Sequence, residues 1–101
     1  EKVVLSTVHQ AKGLEWACVF LISLCEGAFP SPQSVNSEEE LEEERRLFYV
    51  ACTRAKDYLF LCYPVVGERL RGRPLIRRPS RFLQELSPSL YERYDLRGRV
   101  F

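Results

Sequence analysis

Apolar positions along this chain follow two rhythms. Short continuous runs occupy Lys2–Thr7 (KVVLST), Cys18–Leu24 (CVFLISL) and Tyr58–Tyr63 (YLFLCY). Short runs rich in β-branched and aromatic residues read as buried strands. Runs that are apolar on both alternating faces suit a parallel sheet covered by helices on both sides. A slower rhythm follows Ser37, in EEELEEERRLFYVACTRAK, where Leu41, Leu47, Phe48, Ala51, Cys52 and Ala55 gather on one face at ~100° per residue. Ser37 is a good N-cap and Glu40 completes a capping box. The acidic run Glu38–Glu44 is a solvated start that suits the positive helix end, and the later basic residues suit the other end.

The remaining segments read as connectors. Cys25–Asn36 carries two prolines and a glycine and is a loop. GERLRGRPLIRRPSR is basic and interrupted by glycine and proline, which predicts loop with an irregular hairpin. RFLQEL forms a short helix with Ser80 as its cap. From Ser87 onward the pattern weakens, and 87–101 is expected to be a loosely ordered tail. The order strand, turn, strand, loop, long helix, strand, loop, helix predicts an α/β layer with a mainly parallel sheet. Three strands make a thin sheet, and the chain has no starting Met. Both features predict a piece of a longer protein.

Composition narrows the choices. The 101 residues are 46% hydrophobic and 29% charged, ordinary for one small globular domain. A net charge of +1 excludes a polycation, so any nucleic-acid contact is local. No apolar run approaches the ~18 residues of a membrane span, and no secretory signal is visible. Cys18, Cys25, Cys52 and Cys62 form no C-x-x-C pair, which argues against zinc. Cys18, Cys52 and Cys62 fall in apolar segments and read as buried free thiols, in keeping with a reducing, cytoplasmic setting.

Two clusters carry candidate chemistry. TVHQAKGLEW (Thr7–Trp16) packs anion- and hydroxyl-binding groups between two apolar runs. Strand C-termini followed by a sharp turn are where α/β proteins place ligand groups. Gly13 permits φ > 0 or a close backbone approach. Lys12 offers a point charge for phosphate. Glu15 accepts from sugar hydroxyls, and Thr7 and His9 donate to phosphate oxygens. The plain alternative is a tight turn with incidental polar residues. G-x-x-x-x-G-K-[ST] is absent, so these residues alone build no ATP site. In the second cluster, EEERRLFYVACTRA, the wheel puts Arg54 beside Leu47 and Val50 at the edge of the apolar stripe, with Arg46 and Thr53 toward solvent. Arg54 there can reach across an interface to a phosphate, or form an ordinary ion pair or snorkel over the core. Arg69, Arg71, Arg73, Arg77, Arg78 and Arg81 form a basic stretch that is either a DNA contact or a solvated loop. Tyr58, Phe60 and Phe82 read as core. Arg45, Arg46 and the acidic run are expected to pair.

Together, TVHQAKGLEWACVFLISLCEGAFP and LEEERRLFYVACTRAKDYLFL closely resemble motifs V and VI of the UvrD/Rep/PcrA family of superfamily-one DNA helicases. RPSRFLQEL also resembles the segment that closes that family's second motor domain. The likeness runs from about Val4 to Leu86. It implies that 1–86 is the C-terminal portion of the second RecA-like motor domain, a partial three-layer fold of the P-loop NTPase type. It further implies ATP with Mg2+, the metal held mainly by the absent first motor domain, which is the partner across the cleft. Arg54 is implied as the arginine finger, Glu15 as the ribose contact and Gly13 as the turn residue. Thr7, His9 and Lys12 are implied as contacts to DNA, single-stranded or with a 3′ tail. Trp16 and Cys52 depart mildly from the family pattern. With no P-loop here, the fragment alone is expected to be inactive. The competing reading is a non-catalytic helicase-like interaction module of a repair or nuclease complex.

Overall fold

The structure is a computed structural model that describes residues 3–11, 13–70 and 73–94, with backbone alone for 66–70 and 73–75. Two parallel strands, β1 (Trp16–Leu21) and β2 (Ala55–Leu61), pair with Val19 opposite Leu59, Phe20 opposite Phe60 and Leu21 opposite Leu61. Helix α1 (Glu38–Cys52) is the crossover between them. β3 (Val66–Leu70) and β4 (Arg73–Ile76) form an antiparallel hairpin with a register shift, the irregular hairpin anticipated. A short helix α2 (Arg81–Gln84) follows. The result is a small mixed α/β unit.

Capping follows the sequence. The Ser37 hydroxyl accepts from the Glu40 N–H at 3.3 Å. Only this half of the box forms, because the Ser37 N–H is taken by the Ser34 carbonyl. Ser80 caps α2 by accepting from the Phe82 N–H. Strand alternation turns Leu21 and Leu61 toward α1. There they pack around Leu24, Phe48 and Phe82, with Phe29, Leu41, Cys52, Leu83 and Leu86 at the margin. Burial pushes the Cys52 thiol up to about 11, so it stays protonated and inert near neutral pH.

Several expectations are corrected. Val3–Thr7 forms no strand, and Val3 and Leu5 are 91% and 93% exposed. A strand needs a neighbour for its N–H and C=O groups, and no described residue pairs with this segment. Among the described residues the sheet is covered on one face, not two. Cys18, Phe20, Tyr58 and Phe60 share the open face, where the rings of Phe20 and Phe60 stack at 4.5 Å. Tyr58 and Phe60 are therefore exposed, because among the described residues the one long helix, α1, covers the opposite face. Of the aromatics assigned to the core, Phe82 alone is buried. For the same reason Cys18 is exposed, whereas Cys25, placed in a loop, is buried. Cys25 sits where 24–26 runs antiparallel to 78–80: the Ser80 N–H donates to Leu24 C=O at 2.8 Å, and the Glu26 N–H to Arg78 C=O at 2.9 Å.

Side-chain ties close the unit. Arg46 pairs with Glu43, and Arg45 bridges Glu42 on its own helix to Glu85 beyond α2. Glu44 accepts from the Ser31 N–H and from both the Ser31 and Ser34 hydroxyls, fixing the 31–36 loop to α1. Glu26 accepts from the Arg81 N–H and Nη2, each at 2.7 Å. Burial works to raise the Glu26 pKa, but the Arg81 hydrogen bonds and charge outweigh it, and the net shift is downward. A carboxylate depressed on folding stabilises above its unfolded pKa and loses that contribution as pH falls through the folded value. We therefore expect acid to loosen the α2 region from about pH 4.3 downward. Glu26→Gln should lower stability at pH 7 and flatten this acid limb, as read by urea unfolding at a series of pH values.

Candidate functional site

Arg54 lies on a two-residue bridge. α1 ends at Cys52 and β2 begins at Ala55, so Thr53 and Arg54 alone connect them. Helical periodicity placed Arg54 on the α1 stripe edge, but the helix stops before it and its last turn holds no basic residue. The reason is competition for backbone groups. The Thr53 N–H donates to the Tyr49 and Val50 carbonyls, tightening the last turn. The next carbonyl, that of Arg54, accepts from the Trp16 N–H at 2.8 Å and starts the sheet.

That bond joins the two candidate clusters. Glu15 immediately precedes β1 and Arg54 immediately precedes β2, so both stand at the edge where the parallel strands begin. The Arg54 guanidinium is half-buried. Its Nη2 donates to the Thr53 hydroxyl at 3.0 Å, while its Nε is buried without a partner. Among the described residues Arg54 makes no ion pair, so the ordinary-ion-pair reading is not what the structure shows. A buried donor left unpaired costs about 1–3 kcal/mol. In this pose the guanidinium is a permanent cation whose hydrogen-bond partner among the described residues is the Thr53 hydroxyl.

The segment before β1 is a wound turn, not the end of a strand. The Thr7 hydroxyl accepts from the Gln10 N–H at 3.1 Å, and its carbonyl accepts from the N–H of the buried Ala11. The Leu14 N–H then closes on the Ala11 carbonyl at 2.9 Å, with Gly13 at φ +82°. Nothing lies within 4 Å of where a Gly13 Cβ would stand. Conformation, not close approach, is what requires glycine. Thr7, His9 and Glu15 are all exposed, and Lys12 lies outside the described residues.

The basic stretch is described only in part. Arg81 is committed to Glu26, and the Arg69, Arg71 and Arg73 side chains lie outside what is described. The sequence reading missed Thr53. It is exposed, as the wheel placed it, yet its hydroxyl is engaged on both sides. A hydroxyl residue directly before the arginine, at the end of the apolar period, was the available signal.

Fold and site define a small α/β unit with Glu15 and Arg54 beside the starts of its two parallel strands. A family model, that of the UvrD-like helicase C-terminal domain, matches residues 1–65. The chain is 53% identical over 92 residues to the probable DNA helicase II homolog of Mycoplasma capricolum subsp. capricolum, covering 91% of this chain and 13% of that protein. It is 51% identical over 90 residues to the ATP-dependent DNA helicase PcrA of Leuconostoc citreum, covering 89% and 12%. It is 46% identical over 100 residues to DNA helicase II of Escherichia coli K12, covering 99% and 14%. The chain belongs to the UvrD-like helicase C-terminal domain family. It spans only 12–14% of the length of these relatives.

Proposed function

We propose that this chain is the C-terminal part of the second RecA-like motor domain of an ATP-dependent DNA helicase that moves 3′→5′ along one strand. The observation that carries the reading is the Trp16 N–H to Arg54 C=O bond, which sets Glu15 and Arg54 at one sheet edge. Relatives named ATP-dependent DNA helicase and DNA helicase II support it.

In this reading ATP supplies the phosphoryl group whose hydrolysis drives the cycle, and Mg2+ is held by the first motor domain. Arg54 serves as the finger, placing fixed positive charge against the γ-phosphate, where negative charge develops. Glu15 accepts from the ribose hydroxyls, and Gly13 lets the chain turn back to deliver it. Thr7, His9 and Lys12 contact the single-stranded backbone from the same turn. Movement of that turn is therefore tied to the nucleotide edge through the few residues between Gly13 and β1. Closure against the first domain and reopening alternate the grip on DNA.

The deciding measurement is ATP hydrolysis by the intact parent protein with and without single-stranded DNA. Turnover that rises with DNA supports the motor. A parent that turns over no ATP under either condition overturns it in favour of a non-catalytic interaction module.

A further inference from the structure

Thr53 holds an unusual position for an exposed side chain. Its hydroxyl donates to the Val50 carbonyl at 2.6 Å and accepts from Arg54 Nη2 at 3.0 Å. A hydroxyl has one hydrogen and two lone pairs. With the hydrogen committed to the helix end, only acceptor capacity remains, and a guanidinium only donates. The match is therefore directional.

The backbone of Arg54 is fixed independently. Its N–H donates to Ala51 C=O at 3.1 Å and its C=O accepts from the Trp16 N–H. What stays free is the side-chain torsions of a long, rotamer-rich residue. Among the described residues the Thr53 hydroxyl is the one hydrogen-bond partner of the guanidinium. The β-branch of Thr53 restricts its own χ1, so a stiff residue seated on the helix end aims a flexible one.

We propose that Thr53 is a positioning residue for the arginine finger: its hydroxyl, anchored on Val50, orients the Arg54 guanidinium toward the nucleotide edge. This rests on the assignment of Arg54 proposed above. Thr53 acts through Arg54 and has no contact of its own with substrate.

The test uses the intact parent protein and DNA-stimulated ATP turnover. Thr53→Val keeps the shape and removes the hydroxyl. It should lower kcat by about 10- to 100-fold, the range for a hydrogen bond to a charged group, with KM for ATP and thermal stability near wild type. Thr53→Ser keeps the hydroxyl and should recover most of the rate. In an Arg54→Ala background, Thr53→Val should cost nothing further, because residues that act as a unit are not additive. Wild-type kcat in Thr53→Val overturns the proposal. So does equal loss in the serine variant, or an undiminished Thr53→Val effect in the Arg54→Ala background. If Arg54→Ala itself leaves turnover unchanged, the finger assignment fails first and takes the Thr53 role with it. That outcome is distinct from a failing alanine variant beside a normal valine variant.

Discussion

In the intact parent protein, replacing Arg54 with alanine should lower DNA-stimulated ATP turnover by about 10³-fold or more, with nucleotide binding mostly kept. The structure argues that the loss is chemical and not conformational. Alanine retains the N–H that donates to Ala51 and the C=O that accepts from Trp16, so the start of the sheet survives. The side chain makes no ion pair among the described residues, and the substitution removes a buried Nε that has no partner. Stability should therefore hold or rise slightly. Arg54→Lys keeps the charge but lacks the planar fork, and should restore little. Single-turnover hydrolysis with saturating ATP separates the step from binding. Wild-type turnover in the alanine variant rejects the finger assignment, as does a loss matched by unfolding.

Local rules made much of this molecule readable before its structure. The α1 start, the Ser80 cap, the irregular hairpin, both parallel strands and the Arg45 and Arg46 ion pairs all depend on residues close in sequence, or on side-chain period. Features that need a distant partner were not readable. Helical period ran through Thr53 and Arg54 because periodicity does not register the Trp16 N–H waiting 38 residues upstream. The Arg45 bond to Glu85 crosses 40 residues. Lys2–Thr7 carries the side chains of a strand, but among the described residues no strand pairs with Val3–Thr7. Tyr58 and Phe60 carry the side chains of a core, but among the described residues no element covers that face. At the candidate site, the Thr7–Trp16 pattern gave the residue types, and the pairing of strand starts gave their neighbourhood. The Thr53 hydroxyl stayed hidden because an exposed threonine looks the same in sequence whether its hydroxyl is free or committed.

Phe48→Ala should be the most damaging single change to stability. Phe48 is fully buried, its ring 5.9 Å from that of Phe82 and 6.5 Å from that of Phe29. Leu24 and Phe82 complete a core in which few side chains are fully enclosed. Truncating a buried phenylalanine costs about 3–5 kcal/mol through lost transfer energy and the cavity left behind. That is a large share of the ~5–15 kcal/mol that holds a domain together. Here the neighbours cannot readily close the gap. Phe82 is held by the Ser80 cap and the Arg81–Glu26 pair, and Leu24 by its bonds to Cys62 and Ser80. Hydrogen exchange of the α1 amides in the intact parent is the appropriate reading, because it reports the local opening that seats the helix. At about 1.4 kcal/mol per decade, exchange should quicken by about a hundredfold or more. Arg46→Ala, which breaks an exposed pair with Glu43, should move it by less than about fivefold. Because α1 carries the Thr53–Arg54 bridge at its end, Phe48→Ala should also lower turnover, but only together with faster exchange. Arg54→Ala should lower turnover while α1 exchange stays at the wild-type rate, so the two variants separate the seat of the arginine from its charge.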